Sequence, residues 1–106
     1  MIDPGRLNTR LAIQAPQNVP DGQGGVVRGY VTEKTVWALV TPLGSREAVA
    51  GDVGGATHRC RIVIRDNVAI TLQHRLIERH RILRIVAIGD SRDRGFLEIE
   101  AEWRDA

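Results

Sequence analysis

Lysine is almost missing from this chain. Of its 15 basic residues, fourteen are arginine and one is Lys34. Set against 13 acids, they leave a net charge of only +2 over 106 residues. That balance excludes a polybasic tail for nucleic acid or an anionic membrane. Aromatics are scarce as well, at 4%: Tyr30, Trp37, Phe96 and Trp103. A single cysteine, Cys60, excludes an internal disulfide framework and fits a reducing compartment. No apolar run approaches the roughly 18 residues of a membrane span. The opening Met1-Ile2-Asp3-Pro4-Gly5 lacks the basic-then-apolar layout of a signal peptide, so no membrane partner is expected. What is present is a 42% hydrophobic content, enough for one core built from Val, Ile, Leu and Ala. Two domains would each be too small to hold a core, so residues 1–106 are expected to form one.

The apolar residues alternate. Leu7, Thr9, Leu11 and Ile13 share one face and Asn8, Arg10 and Gln14 the other, a half-buried strand that Pro16 is expected to end. Pro20-Asp21-Gly22-Gln23-Gly24-Gly25 marks a reversal or loop. Val26–Tyr30 reads as a short edge strand, and Thr35–Thr41, apolar on both faces, as a central one closed by Pro42. Ser45 is placed to cap a short helical turn over 46–50, with Gly51 as its stop. Thr57–Arg65 is the clearest strand: His58, Cys60, Ile62 and Ile64 face one way, and Arg59, Arg61, Val63 and Arg65 the other. Two more strands, His74–Glu78 and Arg81–Ile88, flank a tight turn, the second apolar on both faces except for Arg84 and so expected to sit centrally. After a solvated turn at Gly89–Gly95, Leu97, Ile99, Ala101 and Trp103 alternate with Glu98, Glu100 and Glu102. About six or seven short strands, at most one short helix and long projecting loops predict a mainly β fold, a small antiparallel barrel or sandwich.

Catalytic and metal motifs are weak. His58, Cys60, His74 and His80 lack the spacing of a structural zinc site, and a buried cysteine beside a satisfied histidine explains the first pair. Ser45 and Ser91 are the only serines, and neither lies in GxSxG. Glu98, Glu100 and Glu102 form one solvated stripe, the opposite of a carboxyl tuned for acid–base work. Gly22-Gln23-Gly24-Gly25 opens another β-like stretch rather than a helix, so it reads as a turn and not a phosphate cradle. No enzyme activity, metal or cofactor is expected.

The charges themselves are informative. Arg59, Arg61 and Arg65 make a basic stripe, and Glu98, Glu100 and Glu102 an acidic one. The stripes can pair across strands within one subunit. They can also pair between subunits, as complementary halves of a head-to-tail interface that closes into a ring. A basic barrel with few aromatics is a poor platform for base stacking. Sequence-blind contact with DNA phosphates remains open to arginines such as Arg46 or the Arg92/Arg94 turn. The alternative function on this reading is a small monomeric β-barrel module that binds single-stranded nucleic acid or a protein partner.

The order of these features resembles the phage head–tail joining proteins, also called head-closure, stopper or head-completion proteins. The resemblance is carried by Leu7-Asn8-Thr9-Arg10-Leu11-Ala12-Ile13-Gln14, then by the Asp21-Gly22-Gln23-Gly24-Gly25 turn. Val36-Trp37-Ala38 and Pro42-Leu43-Gly44-Ser45-Arg46-Glu47 follow. Thr57-His58-Arg59-Cys60-Arg61-Ile62-Val63-Ile64-Arg65 and Arg75-Leu76 leading to Arg81 and Ile85 complete it. The chain departs from the family at Arg79-His80, where Gly or Asn is usual, and at Leu83, where an aromatic is usual. The resemblance implies a structural protein of the virion neck in a phage, a prophage or a gene-transfer agent, assembled in the bacterial host cytoplasm. It implies a ring of six-fold or twelve-fold copies below the portal and adaptor, with a tail terminator or tail tube protein beneath. That ring closes the DNA-filled head, retains packaged double-stranded DNA by backbone contact until ejection, and serves tail attachment. Carried onto this chain, the channel loop is 44–56, with Ser45, Arg46, Glu47 and Asp52, or alternatively 17–34. Arg59, Arg61, Arg65, Glu98, Glu100 and Glu102 are the subunit-interface candidates.

Overall fold

A computed structural model describes residues 4–46 and 57–104. After a single 3-10 turn, Pro4–Arg6, six strands follow: β1 (Thr9–Pro20), β2 (Val26–Arg46), β3 (Thr57–Arg65), β4 (Arg75–Glu78), β5 (Arg81–Asp90) and β6 (Phe96–Arg104). All neighbouring pairs are antiparallel. The order β1-β2-β3-β6-β5-β4 returns to β1 and closes a barrel.

The alternation seen in the sequence becomes the inside and outside of this barrel. Leu11, Ile13, Ala38, Cys60, Ile62, Ile64, Leu76, Leu83, Ile85, Ile99 and Ala101 are buried together. In β1, β3, β5 and β6 these are residues two apart, because successive side chains point to opposite faces. Leu83, where the family usually has an aromatic, fills its place in that core. β5 is less central than its composition suggests: Leu83 and Ile85 point inward, but Ile82 is exposed. Trp37 in β2 is likewise exposed.

Three expected breaks are absent. β1 continues through Pro16 to Pro20, and Val26–Tyr30 and Thr35–Thr41 are parts of one 21-residue strand that passes Pro42 to Arg46. Prolines are tolerated where one side of a strand lacks a partner or where a bulge interrupts the ladder. Among the described residues, Ala15–Pro20 pairs only with β2, and Pro42 abuts a register shift. Fully extended, β2 would span roughly 66 Å at ~3.3 Å per residue, more than the molecule's longest dimension of 52 Å. It bends at two bulges, where Glu33 and Leu43 are the extra residues. β2 leaves β1 at Ala38 and joins β3 at Leu39, and the two pairings do not overlap. The helical turn expected from Ser45 does not start there: Ser45 and Arg46 continue β2 opposite His58 and Thr57. Positions 47–50 and Gly51 lie outside the described residues.

Beyond the barrel, Ala15–Pro20 and Val26–Val31 form a two-stranded arm. It is why the radius of gyration is 15.6 Å rather than the ~13 Å of a compact chain this long. The 17–34 segment, expected as a loop, is therefore mostly this arm. Its tip is held by Asp21, whose Oδ1 accepts from the backbone N–H of Gln23 at 2.8 Å and of Gly25 at 3.0 Å. Gly22 and Gly24 supply the positive φ values, 82° and 86°, that this turn needs.

At the opposite hairpin Arg79 has φ 55°, a left-handed conformation in a non-glycine residue, which costs roughly 1–2 kcal/mol. Stability measured by urea unfolding should rank Arg79→Gly at or up to about 1 kcal/mol above the native chain. The β-branched Arg79→Val should fall about 1–2 kcal/mol below it.

Cys60 is buried in the core. Burial pushes its thiol above the ordinary value of 9.0, opposed in part by the Arg81 guanidinium. Above pH 9.0 the unfolded thiol loses its proton while the folded one keeps it, so this contribution is full below that pH and is lost as pH rises beyond it. The urea midpoint should fall from pH 9 to pH 10 by more in the native chain than in Cys60→Ala. The native thiol should resist a thiol reagent that labels the unfolded chain at once.

Candidate assembly surface

The two charged stripes meet on the outer face of β3 and β6. In register Arg59 lies opposite Glu102, Arg61 opposite Glu100 and Val63 opposite Glu98. The ion pairs run one step diagonally: Arg59 with Glu100, and Arg61 with Glu98 at 2.9 Å. A diagonal neighbour lies farther than the residue straight across, but within reach of a side chain as long as arginine. Glu102 lies 3.9 Å from Arg84 of β5, and Arg65 lies over the Phe96 ring, 5.8 Å from its centroid. The structure thus joins the two stripes within one chain. These pairs are partly exposed, and each adds a few tenths to about 1 kcal/mol.

All four aromatics carry an arginine. Besides Arg65 on Phe96, Arg10 covers Trp37 at 5.4 Å, Arg75 covers Tyr30 at 3.7 Å and Arg81 covers Trp103 at 4.7 Å. His58 stacks on Trp103 as well, with centroids 5.0 Å apart. Cation–π contacts of this kind contribute ~0.5–2 kcal/mol; each sets a guanidinium over a ring, while Trp37 and Tyr30 remain partly exposed. Arg81 also pairs with Glu78, the buried carboxylate among the described residues, at its Oε1, which is out of solvent. The histidines weighed as ligands are dispersed: His58 on Trp103, His74 at the arm's root and His80 exposed in the β4–β5 turn. Among the described residues no three His, Cys, Asp or Glu are grouped to hold a metal.

A polar cluster that sequence reasoning missed fixes the arm to the barrel. Gln14 donates from Nε2 to Thr32 Oγ1 at 3.1 Å and accepts at Oε1 from Arg75 Nε at 2.8 Å. His74 Nδ1 accepts from the Thr71 backbone N–H at 3.1 Å, so its Nε2 is the donor to Glu33 Oε1 at 2.8 Å. Arg75 stacks on Tyr30 at the same place. The pairs that join the arm's root to the β4 region, Glu33 with His74 and Gln14 with Arg75, are 41 and 61 residues apart, and no local pattern announces them. The channel-loop candidates Ser45 and Arg46 occupy the end of β2, while Glu47 and Asp52 lie outside the described residues. Arg75→Ala should release the arm: amides of Ala15–Val31 should exchange faster by at least about tenfold in hydrogen-exchange measurements, with smaller changes in β3 and β6.

The sequence profile of phage head completion proteins matches residues 2–104. A chain in the virion of a native gene transfer agent particle is 31% identical, covers 92% of this chain and 94% of its own, and superposes with a TM-score of 0.72. A protein of Shigella flexneri 2a, solved in solution, shares the fold at 23% identity and a TM-score of 0.69, over 96% of both chains. A search of curated protein sequences gives no significant match. A profile match over nearly the whole length, on a barrel with this topology, shows that the chain belongs to the phage head completion protein family, with a structural role in head closure at the phage neck.

Proposed function

We propose that this chain assembles as a ring at the neck of a phage or gene-transfer-agent particle, below the portal and adaptor. There it closes the DNA-filled head and docks the tail, with a tail terminator or tail tube protein beneath it. The match to the head completion family over residues 2–104 carries this reading. The likeness to a chain of a gene transfer agent virion supports it. Assembly in the host cytoplasm and a six-fold or twelve-fold copy number belong to the same proposal.

The barrel has no open side, so a ring must use other surfaces. Among the described residues, β2 from Val26 to Ala38 pairs with β1 on one edge and with no strand on the other, and such an edge can take a strand from a neighbour. Arg59, Arg61, Arg65, Glu98, Glu100 and Glu102 supply the polar part of the contact. They are only partly covered by their own pairs, so a neighbouring subunit can share their charge. The segment 44–56, with Ser45, Arg46, Glu47 and Asp52, is assigned to the channel. Exposed arginines such as Arg92 and Arg94 hold DNA by its phosphates without reading sequence. Closure by a ring is steric and electrostatic and needs no bond to be made or broken.

Removing the protein from a particle-producing host tests the proposal by electron microscopy. Heads that are packaged but tailless, or that have leaked their DNA, are the expected result, and normal tailed particles would overturn it.

A further inference from the structure

One groove on the outer surface has a composition that the isolated subunit does not need. It encloses about 570 Å³ between the root of the arm and the barrel wall. Arg28 and Tyr30 of β2, Leu72 of the loop before β4, Arg75 of β4, and Ile82 and Arg84 of β5 line it; among the described residues no carboxylate does, and the nearby His74 is paired with Glu33. Arg75 and Arg84 lie directly opposite each other in the β4–β5 register. Like charges in that position repel and weaken a sheet. Arg75 is held by Tyr30 and Gln14, and Arg84 reaches Glu102 only at 3.9 Å with its side chain 79% exposed. Beside them Leu72 and Ile82 are 60% and 52% exposed. Guanidiniums facing each other next to bare aliphatics favour neither folding nor solubility.

We infer that this groove receives an acidic polypeptide segment bearing aliphatic side chains, contributed by a different protein. Carboxylates would lie between Arg28, Arg75 and Arg84, where each gains bidentate hydrogen bonds and relieves the repulsion. Aliphatic side chains would cover Leu72 and Ile82. A second copy of this chain is the poorer occupant. Its acid-bearing strand, Glu98 to Glu102, is paired on both edges in the barrel wall, and the aliphatic neighbours Ile99 and Ala101 are buried in the core, so it cannot enter a groove as a separate segment. Duplex DNA fits less well, because phosphates offer nothing to two exposed aliphatic side chains and the Tyr30 ring is already covered by Arg75. Because Arg75 holds the arm to the barrel, an occupant of the groove touches both parts. The inference does not depend on where in the particle the ring lies.

Nuclear magnetic resonance titration of the full chain with a twelve-residue peptide alternating Glu and Leu tests the groove. Shifts confined to Leu72, Arg75, Ile82, Arg84 and the arm root are expected. Arg28→Glu with Arg84→Glu should weaken binding at least about tenfold, and Ile82→Ser about threefold or more, while Arg94→Glu, outside the groove, leaves it unchanged. An equal loss with Arg94→Glu, shifts elsewhere, or tighter binding of a duplex DNA to the groove would overturn the inference. In assembled particles, a photo-reactive benzoylphenylalanine at position 82 should cross-link to an acidic, aliphatic segment of another particle protein. A cross-link to a second copy or to DNA sinks it.

Discussion

Closure of the sheet depends on a short seam. β1 meets β4 through only three aligned pairs, Ala12 with Ile77, Ile13 with Leu76 and Gln14 with Arg75. Without them the six strands would be an open sheet whose apolar face, from Leu11 to Ala101, had nothing opposite it. The last pair is also where the arm departs. Arg75 therefore acts in two directions, completing the barrel through its backbone and securing the arm through Gln14 and Tyr30. A two-stranded ribbon is marginal by itself in water. This one keeps its direction because its root is tied to the wall of a closed barrel and its tip is tied by Asp21.

The arginine content takes its meaning from this architecture. A chain with fourteen arginines invites a nucleic-acid reading, yet much of that charge is engaged within the fold. Arg59 and Arg61 meet carboxylates, Arg10, Arg65 and Arg75 cover aromatic rings, and Arg81 does both. Arginine suits these positions because its planar fork can stack on a ring while still donating at its edge, which lysine cannot do. Less engaged within the fold are Arg84 at the arm's root and Arg92 and Arg94 in the exposed β5–β6 turn. In the ring proposed above, that division would matter, since a uniformly basic surface would repel its neighbours.

Much of the barrel was legible in the residues. Thr57–Arg65 has the same bounds in sequence and structure, and the inward set of β3 and β6 follows from strict alternation. The misreadings fall where local chemistry met an unpaired edge or a bulge. Proline at 16 and 42 argues for a strand end when only neighbours in sequence are considered, and it is harmless where the ladder is one-sided or shifted. Runs apolar on both faces suggested central strands, and instead left Trp37 and Ile82 on the surface. The charged stripes were readable as stripes, and their pairing within one subunit was one of two readings the residues left open; the β3–β6 register brings them together.

Sequence alone determined β3, the inner faces of β3 and β6 and the reversal at the arm's tip, because alternation and turn chemistry are set by residues a few positions apart. It also carried the likeness to head completion proteins, through the order and spacing of those same elements. Only the tertiary structure decided which arginine meets which acid, that β1 and β2 run on together as an arm, and that Arg28, Arg75 and Arg84 share one groove with Leu72 and Ile82. Those outcomes depend on registers, bulges and a seam between strands more than sixty residues apart, where small local shifts choose among many chemically equal partners.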